Sequence, residues 1–402
     1  MTRLQDALRA SCLVAVSVFG CVEPAQDTTP IAADNEPIWG DTVRTVEELR
    51  IGGSDTPPEH RSVGITALAI RNDGTIYAYD PYGPAIRQYD SRGTFVRTIG
   101  EPGSGPGQHL QVMGLRCTPD GRLVILDTMN GRITVYDSTG TYAEHHRVDA
   151  PPLSIEALVI DTAGDYYVKT IDRSATAARG AAATDDPSLM YVRLSAKSSV
   201  LDTLSLPLRD ATPSFALSTP GGFRSNFPDE TLYALSPTGA LVVGHTQRYV
   251  LDVRLPDGTV RQVARDAEPV PLATAERDQW SAWSKAVAAS QQRAAPYPEP
   301  PETKPLFRAL AVDHEDRIWV QRYVPAIKQN VPPRSPGDNT PLYEWHEPPV
   351  FDVIGMDGTF FGTVVLPMDT YVFAHRGTTV WGMQAIGAQR HIVRLRLHIS
   401  SS

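Results

Sequence analysis

The sequence predicts an all-β fold, a six-bladed β-propeller with four-stranded blades, and three observations carry that prediction. A short apolar strand, a tight turn and a second apolar strand recur six times: ALAIRNDGTIYAY (67–79), GLRCTPDGRLVIL (114–126), ALVIDTAGDYYVK (157–169), LYALSPTGALVVG (232–244), ALAVDHEDRIWVQ (309–321) and YVFAHRGTTVWGM (371–383). Internal repetition of this kind marks units that bury their apolar faces against one another. A third strand follows in each unit, for example IRQYD (86–90), ITVYD (133–137) and FDVIG (351–355), and five of the six turn into a fourth, such as FVRTIG (95–100). The sixth unit ends after IVRLR (392–396), while one strand, VRTVEELRIG (43–52), is left over near the other end. Pairing the two lets the N-terminal strand complete the last blade and closes the ring without a bare seam.

The turn between first and second strands carries Gly74, Gly121, Gly164, Gly239, Asp316 and Gly377 in the six units. Glycine fits there because a tight hairpin needs φ > 0, which a Cβ resists. Composition agrees with many short strands. The 402 residues hold 30 Gly and 34 Pro, which excludes a long-helix or coiled-coil protein, and 41% hydrophobic residues are enough for a large core. A net charge of −9 argues against a nucleic-acid partner.

Residues 1–20 read as an export signal: Arg3 and Arg9 precede an apolar run, Ala10 to Phe19, that is too short to span a bilayer. The run ends in Val18-Phe19-Gly20-Cys21, which resembles a bacterial lipobox and implies that Cys21 is lipidated as the mature N-terminus. Val22, not Asp, follows the cysteine, and in Gram-negative lipoproteins that pattern implies the outer membrane, with membrane contact through the lipid only. Residues 21–40 are polar and proline-spaced and predict a flexible tether; residues 41–402 form the propeller. With Cys12 removed and Cys21 acylated, Cys117 has no partner, and no thiol metal set is expected.

The second unit, DGRLVILDTMNGRITVYDSTG (120–140), resembles an NHL-type repeat through Asp127, Asn130, Arg132 and Ile133, and EPGSGPGQ (101–108) resembles the connection that precedes such repeats. Residues 43–399 as a whole are similar to a bacterial six-bladed β-propeller lipoprotein family of uncharacterised function. The resemblance implies the fold, and leaves function open.

Insertions fall on one end of the ring. Loops joining strands two to three, and blade to blade, open on the same end, and they hold 171–188, 207–230, 265–305 and 323–348. The turns at the opposite end are uniformly short. Long loops on a rigid scaffold are where binding concentrates. Within 265–305, between blades 4 and 5, one short helix is predicted, capped by Thr274, with Trp280, Trp283 and Val287 on one side. It serves as a packing stripe or as an aromatic wall over the central cavity. Tyr323 and Trp345 belong to a second aromatic and polar cluster in 323–348.

His245 and Arg322 end the second strands of blades 4 and 5, at the loop-rich end, and are the leading candidates for ligand contact. His109 and Arg224, on connections between blades, follow them. An Arg–His grouping suits an anionic ligand through charge-assisted hydrogen bonds. The ten histidines occupy different slots in the repeats, so no axial metal site, cofactor or catalytic residue is assigned. The expected function is a monomeric, non-catalytic binding module that docks a protein, peptide or glycan on its loop-rich face. The alternative is a propeller hydrolase or lyase with an axial polar site.

Overall fold

The computed structural model describes residues 29–53, 64–83, 85–148, 158–171, 189–196, 199–206, 227–290, 299–330, 344–387 and 389–399. Its strands group into six blades, each with its first strand innermost. Blade 1 runs Ala67–Ile70, Ile76–Asp80, Ala85–Tyr89, Phe95–Ile99, and blade 2 runs Val112–Cys117, Leu123–Asp127, Arg132–Tyr136, Tyr142–Arg147. Blades 3 (158–206), 4 (231–264) and 5 (307–365) repeat the same antiparallel order. Blade 6 takes Thr370–Arg376, Thr379–Ile386 and Gln389–His398 from the C-terminal end, and Thr42–Ile51 as its outer strand. The expected closure is therefore what the chain does.

Period-two alternation builds the ring. In the second strand of blade 2, Leu123 and Ile125 enter the cluster shared with blade 1, while Val124 and Leu126 enter the one shared with blade 3. Such a strand is buried on both faces, so it reads as a continuous apolar run. The same division gives six apolar clusters for six blade–blade junctions, the last joining Trp381, Met383 and Ile392 of blade 6 to Leu68, Ile76 and Tyr89 of blade 1.

All six turn residues singled out in the sequence have positive φ, from +57° at Asp316 and Gly377 to +90° at Gly239. A side chain at the end of the first strand locks several of these turns. Asp161 Oδ1 accepts the amides of Ala163 and Asp165, and Asp313 Oδ1 those of Glu315 and Arg317. These are Asx turns, which fix the backbone locally.

The tether differs from its expectation. Ile31–Ala32 adds as a parallel strand to the outer edge of blade 4, pairing with Val263 and Ala264. The Ile38 and Trp39 amides then donate to the Phe360 and Phe361 carbonyls of blade 5. Composition does not reveal this because the pairing is made by backbone, to an edge that any extended segment can extend. Trp39 supplies the apolar anchor: it is 7% exposed, with ring centroids 5.0 Å from Phe361 and 6.4 Å from Trp319. Residues before 29, Cys21 among them, lie outside the described residues.

Replacing Trp39 with alanine is expected to lower the unfolding free energy by about 3–5 kcal/mol, as for other buried aromatics. Urea denaturation measures it; a loss below about 0.5 kcal/mol, the range of surface substitutions, would mean the segment only rests on the blades.

Candidate functional site

Among the described residues, the loop-rich end carries a helix and a ribbon over blades 4 and 5, beside the smaller Glu101–Pro102/Gln108–His109 pairing between blades 1 and 2. A helix, Thr274–Ser290, follows blade 4. Its first intrahelical bond runs from the Arg277 amide to the Ala273 carbonyl, so the cap position is Ala273, one residue before the expected Thr274. Glu276, Trp280, Ser284, Val287 and Ala288 form the buried stripe, at helical spacing. Trp283 lies at its margin, half-buried and stacked on Trp280 at 4.9 Å.

An ionic cluster fastens this helix to blade 5. The Lys304 ammonium is fully buried, 2.8 Å from Glu276 Oε1 and 2.9 Å from Glu347 Oε1. Glu347 also pairs with Arg308 and accepts the Val324 amide at 3.0 Å. Burial pulls the lysine below its usual range, and the hydrogen bond to Glu276 opposes that shift. A charge so enclosed is tolerated because both carboxylates meet it directly. Beside it, Arg308 lies 4.0 Å over the Tyr323 ring, and Phe227 packs against Tyr323 at 5.3 Å.

A small ribbon extends the platform. Ile327–Lys328 pairs with Trp345–His346 inside the blade 5 loop. Gln279 of the helix exchanges two hydrogen bonds with Glu344, donating through Nε2 at 3.1 Å and accepting the Glu344 amide at 2.9 Å. His346 Nδ1 sits 2.9 Å from Asp369, which is held at φ +57° before blade 6. Helix, ribbon and blade ends are thus joined side chain to side chain.

The predicted contact residues divide. His245 and Arg322 are at the loop-rich end and part-exposed: His245 Nε2 is 3.2 Å from Asp229, and Arg322 Nη1 is 3.7 Å from Asp352. Trp283 and Trp345 are half-buried on the platform. Trp280, Tyr323 and His109 are interior instead, at 3%, 3% and 0% exposure. His109 packs edge-on to Tyr79 at 5.8 Å, and burial holds its imidazole below the usual histidine range. Arg224 lies outside the described residues.

The repeat-like residues of blade 2 prove to be clamps. Asp127 accepts the amides of Leu110 and Gln111, and Asn130 donates to the Gly103 carbonyl at 2.9 Å. Arg132 donates to the carbonyls of Ser104, Gly105 and Gln108. Together they fix the 101–108 connection.

Sequence reasoning missed Asp352, a fully buried carboxylate on the third strand of blade 5. It accepts Tyr249 Oη at 2.9 Å and Thr363 Oγ1 at 2.7 Å, with Arg265 Nε at 3.3 Å. Burial, then the neighbouring carboxylate, pushes the Tyr249 phenol well above its usual range. The only signal was an aspartate amid apolar residues in VFDVIG. Among the described residues, no three His, Cys, Asp or Glu side chains gather as a metal site would require.

A family model described as a 6-bladed beta-propeller matches residues 56–181, which span blades 1 and 2 and the first half of blade 3. No curated protein matches the sequence. Among solved structures, a member of the duf4221 family from Bacteroides vulgatus is 10% identical, covering 90% of this chain and 99% of its own at a TM-score of 0.49. A candidate exported protein from Bacteroides fragilis is 11% identical, with coverage of 90% and 99% and a TM-score of 0.48. Virginiamycin B lyase from Staphylococcus aureus is 10% identical, with coverage of 88% and 98% and a TM-score of 0.43. At these identities nothing about ligand or reaction carries over.

Lys304→Met removes the buried cation that Glu276 and Glu347 share, Glu347 keeping Arg308, and is expected to cost about 3–5 kcal/mol. Adding Glu276→Gln, which keeps the Glu347–Arg308 pair, should recover most of that loss in urea unfolding; no recovery would mean the cluster does not hold the platform.

A second expectation concerns pH. His375 is buried, stacked on Trp319 at 4.0 Å, and burial pushes its pKa down to about 3 from 6.5. The unfolded chain therefore binds the extra proton first, so stability is full above pH 6.5 and falls as the pH drops toward 3. The steepest loss is about 1.4 kcal/mol per pH unit. His375→Phe should flatten the change between neutral and acidic urea midpoints, and an unchanged slope would show that the ring is not held neutral.

Proposed function

We propose that this chain is a non-catalytic binding module of the bacterial envelope, tethered through a lipid on Cys21 and presenting its loop-rich end to a protein, peptide or glycan partner. The observation that carries this reading is the platform over blades 4 and 5. There the buried Lys304–Glu276–Glu347 cluster fixes a helix and a ribbon, and both bear half-buried tryptophans, Trp283 and Trp345. Rigid aromatics with adjacent charge suit recognition, since little side-chain entropy is lost on contact.

Binding is favoured over an axial hydrolase or lyase site by where the candidate groups go. His109 and His375 are interior rings packed on aromatics, and Arg322 is paired with Asp352. The Cys21 lipid rests on the lipobox-like Val18-Phe19-Gly20-Cys21, and the outer-membrane address on Val22.

A photoreactive residue placed at position 283 in cells is expected to give a discrete crosslinked product, and one at position 92, in a turn at the opposite end, none. Equal labelling from both positions, or labelling from 92 alone, would refute the loop-rich end as the binding face. In the same cells Cys21→Ser should move the protein from the membrane to the soluble fraction.

A further inference from the structure

The short-turn end of the ring holds a cavity of about 470 Å³ at the junction of blades 6 and 1. Its lining includes four arginines, Arg71, Arg376, Arg394 and Arg396, with Glu48 and Trp381. This is a concentration of positive charge on a chain whose net charge is −9.

The arginines arrive by two routes. Arg71 and Arg376 sit at the first-to-second-strand turns of blades 1 and 6. Arg394 and Arg396 alternate along the third strand of blade 6, opposite Trp381 and Thr379, so they share the face turned toward blade 1. Arg394 lies 5.3 Å over the Trp381 ring and donates to the Ser91 carbonyl of blade 1 at 3.2 Å. Glu48 is the extra residue of a β-bulge between Glu47 and Leu49 in the outer strand. Bulges re-aim a side chain, and this one brings Glu48 against both Arg394 and Arg396.

Charge and donors are both left over. Asp73 is paired with Arg71, and Glu48 serves Arg394 and Arg396 together, so two carboxylates face four guanidinium groups. Glu315, in the neighbouring turn of blade 5, is engaged by Arg317 and the Gly377 amide. Arg376 meets only neutral acceptors among the described residues: Asn72 Oδ1 at 2.9 Å and the Ile70 carbonyl at 3.4 Å. Among the described residues, Arg396 bonds only through Nε, to Glu48. A guanidinium carries five N–H donors in a planar fork, so both keep donors for an incoming oxyanion.

We propose that this cavity is a binding site for a small oxyanion of about two negative charges, with phosphate chemistry. Two charges are what the four arginines and two carboxylates leave uncompensated, and the guanidinium fork matches phosphate oxygens in pairs. The anion would sit between Arg376 and Arg396, with Arg394 held in place by Trp381 and Glu48. This site is at the end of the ring away from the helix and ribbon, and does not depend on their role.

Isothermal titration of the purified protein with inorganic phosphate at low ionic strength tests the site, with glycerol 3-phosphate titrated alongside. Saturable one-to-one binding is expected, weakened about tenfold or more in Arg376→Gln and in Arg396→Gln, each loss reflecting one charge-assisted pair. Arg261→Gln, an exposed arginine on the outer strand of blade 4, should leave it unchanged. Tighter binding of glycerol 3-phosphate assigns the site to phosphate esters, and tighter binding of inorganic phosphate to the free anion. No saturable binding, or equal affinity in both cavity variants and the parent, would overturn the proposal.

Discussion

The antiparallel pairing of Thr42–Ile51 with Gln389–His398 is the contact on which the rest of the molecule depends. A ring of six blades has six junctions, while an open row of the same blades has five. The pairing brings Ile51 of the first strand into the cluster that joins blade 6 to blade 1. It also places Val43 in the cluster between blades 5 and 6, beside Trp39. A single N-terminal segment thus contributes to two junctions, and to a third through Ala33, buried between blades 4 and 5. Residues 31–51 bind blades 4, 5 and 6, which are made last, so the ring cannot close before those blades are present.

Closure makes the two ends of the ring chemically different. At one end the turns are short, and several are locked by their own side chains, as Asp161 and Asp313 lock theirs, while the Gly377 turn of blade 6 is held by Glu315 of blade 5. Arg376 beside that turn donates to Asn72 Oδ1 of blade 1, a contact between residues 304 apart in sequence. At the other end the connections are long enough to make structure of their own. The helix and ribbon over blades 4 and 5 are held by ion pairs and amide bonds to one another, in addition to the blades beneath.

Much of the fold was legible because propeller blades obey local rules. Gly74, Gly121, Gly164 and Gly239 announce positive φ, and a lone strand at one end with a missing one at the other announces closure. Contacts made by backbone, such as Ile31–Ala32 on blade 4, leave no mark in composition. Site residues were harder for a different reason. His109, Trp280 and Tyr323 occupy slots at the loop-rich end, but a slot gives the end of the ring and not whether a side chain points inward or outward. Nor could the arginine cavity be read from sequence. Its residues come from positions 48, 71, 376, 394 and 396, and each alone is an ordinary charged residue on a strand or turn.

The distance between the two ends sets how they can influence each other. A five-residue strand spans about 17 Å, and the blades are built from strands of that order, such as Ile76–Asp80 and Leu123–Asp127. Charges so far apart are beyond the Debye length of about 8 Å at physiological ionic strength. Screening by solvent therefore leaves the arginines little electrostatic influence on the platform, and an anion bound among them would change little of the charge seen by a partner at the other end. Mechanical coupling would have to shift blade 6 against blade 1. That junction is packed with Trp381, Met383, Ile392 and Tyr89, all buried, and a close-packed interior of this kind resists sliding. The cavity at blades 6 and 1 and the platform over blades 4 and 5 thus rest on different blades of one closed ring, and the packed junctions between them transmit little.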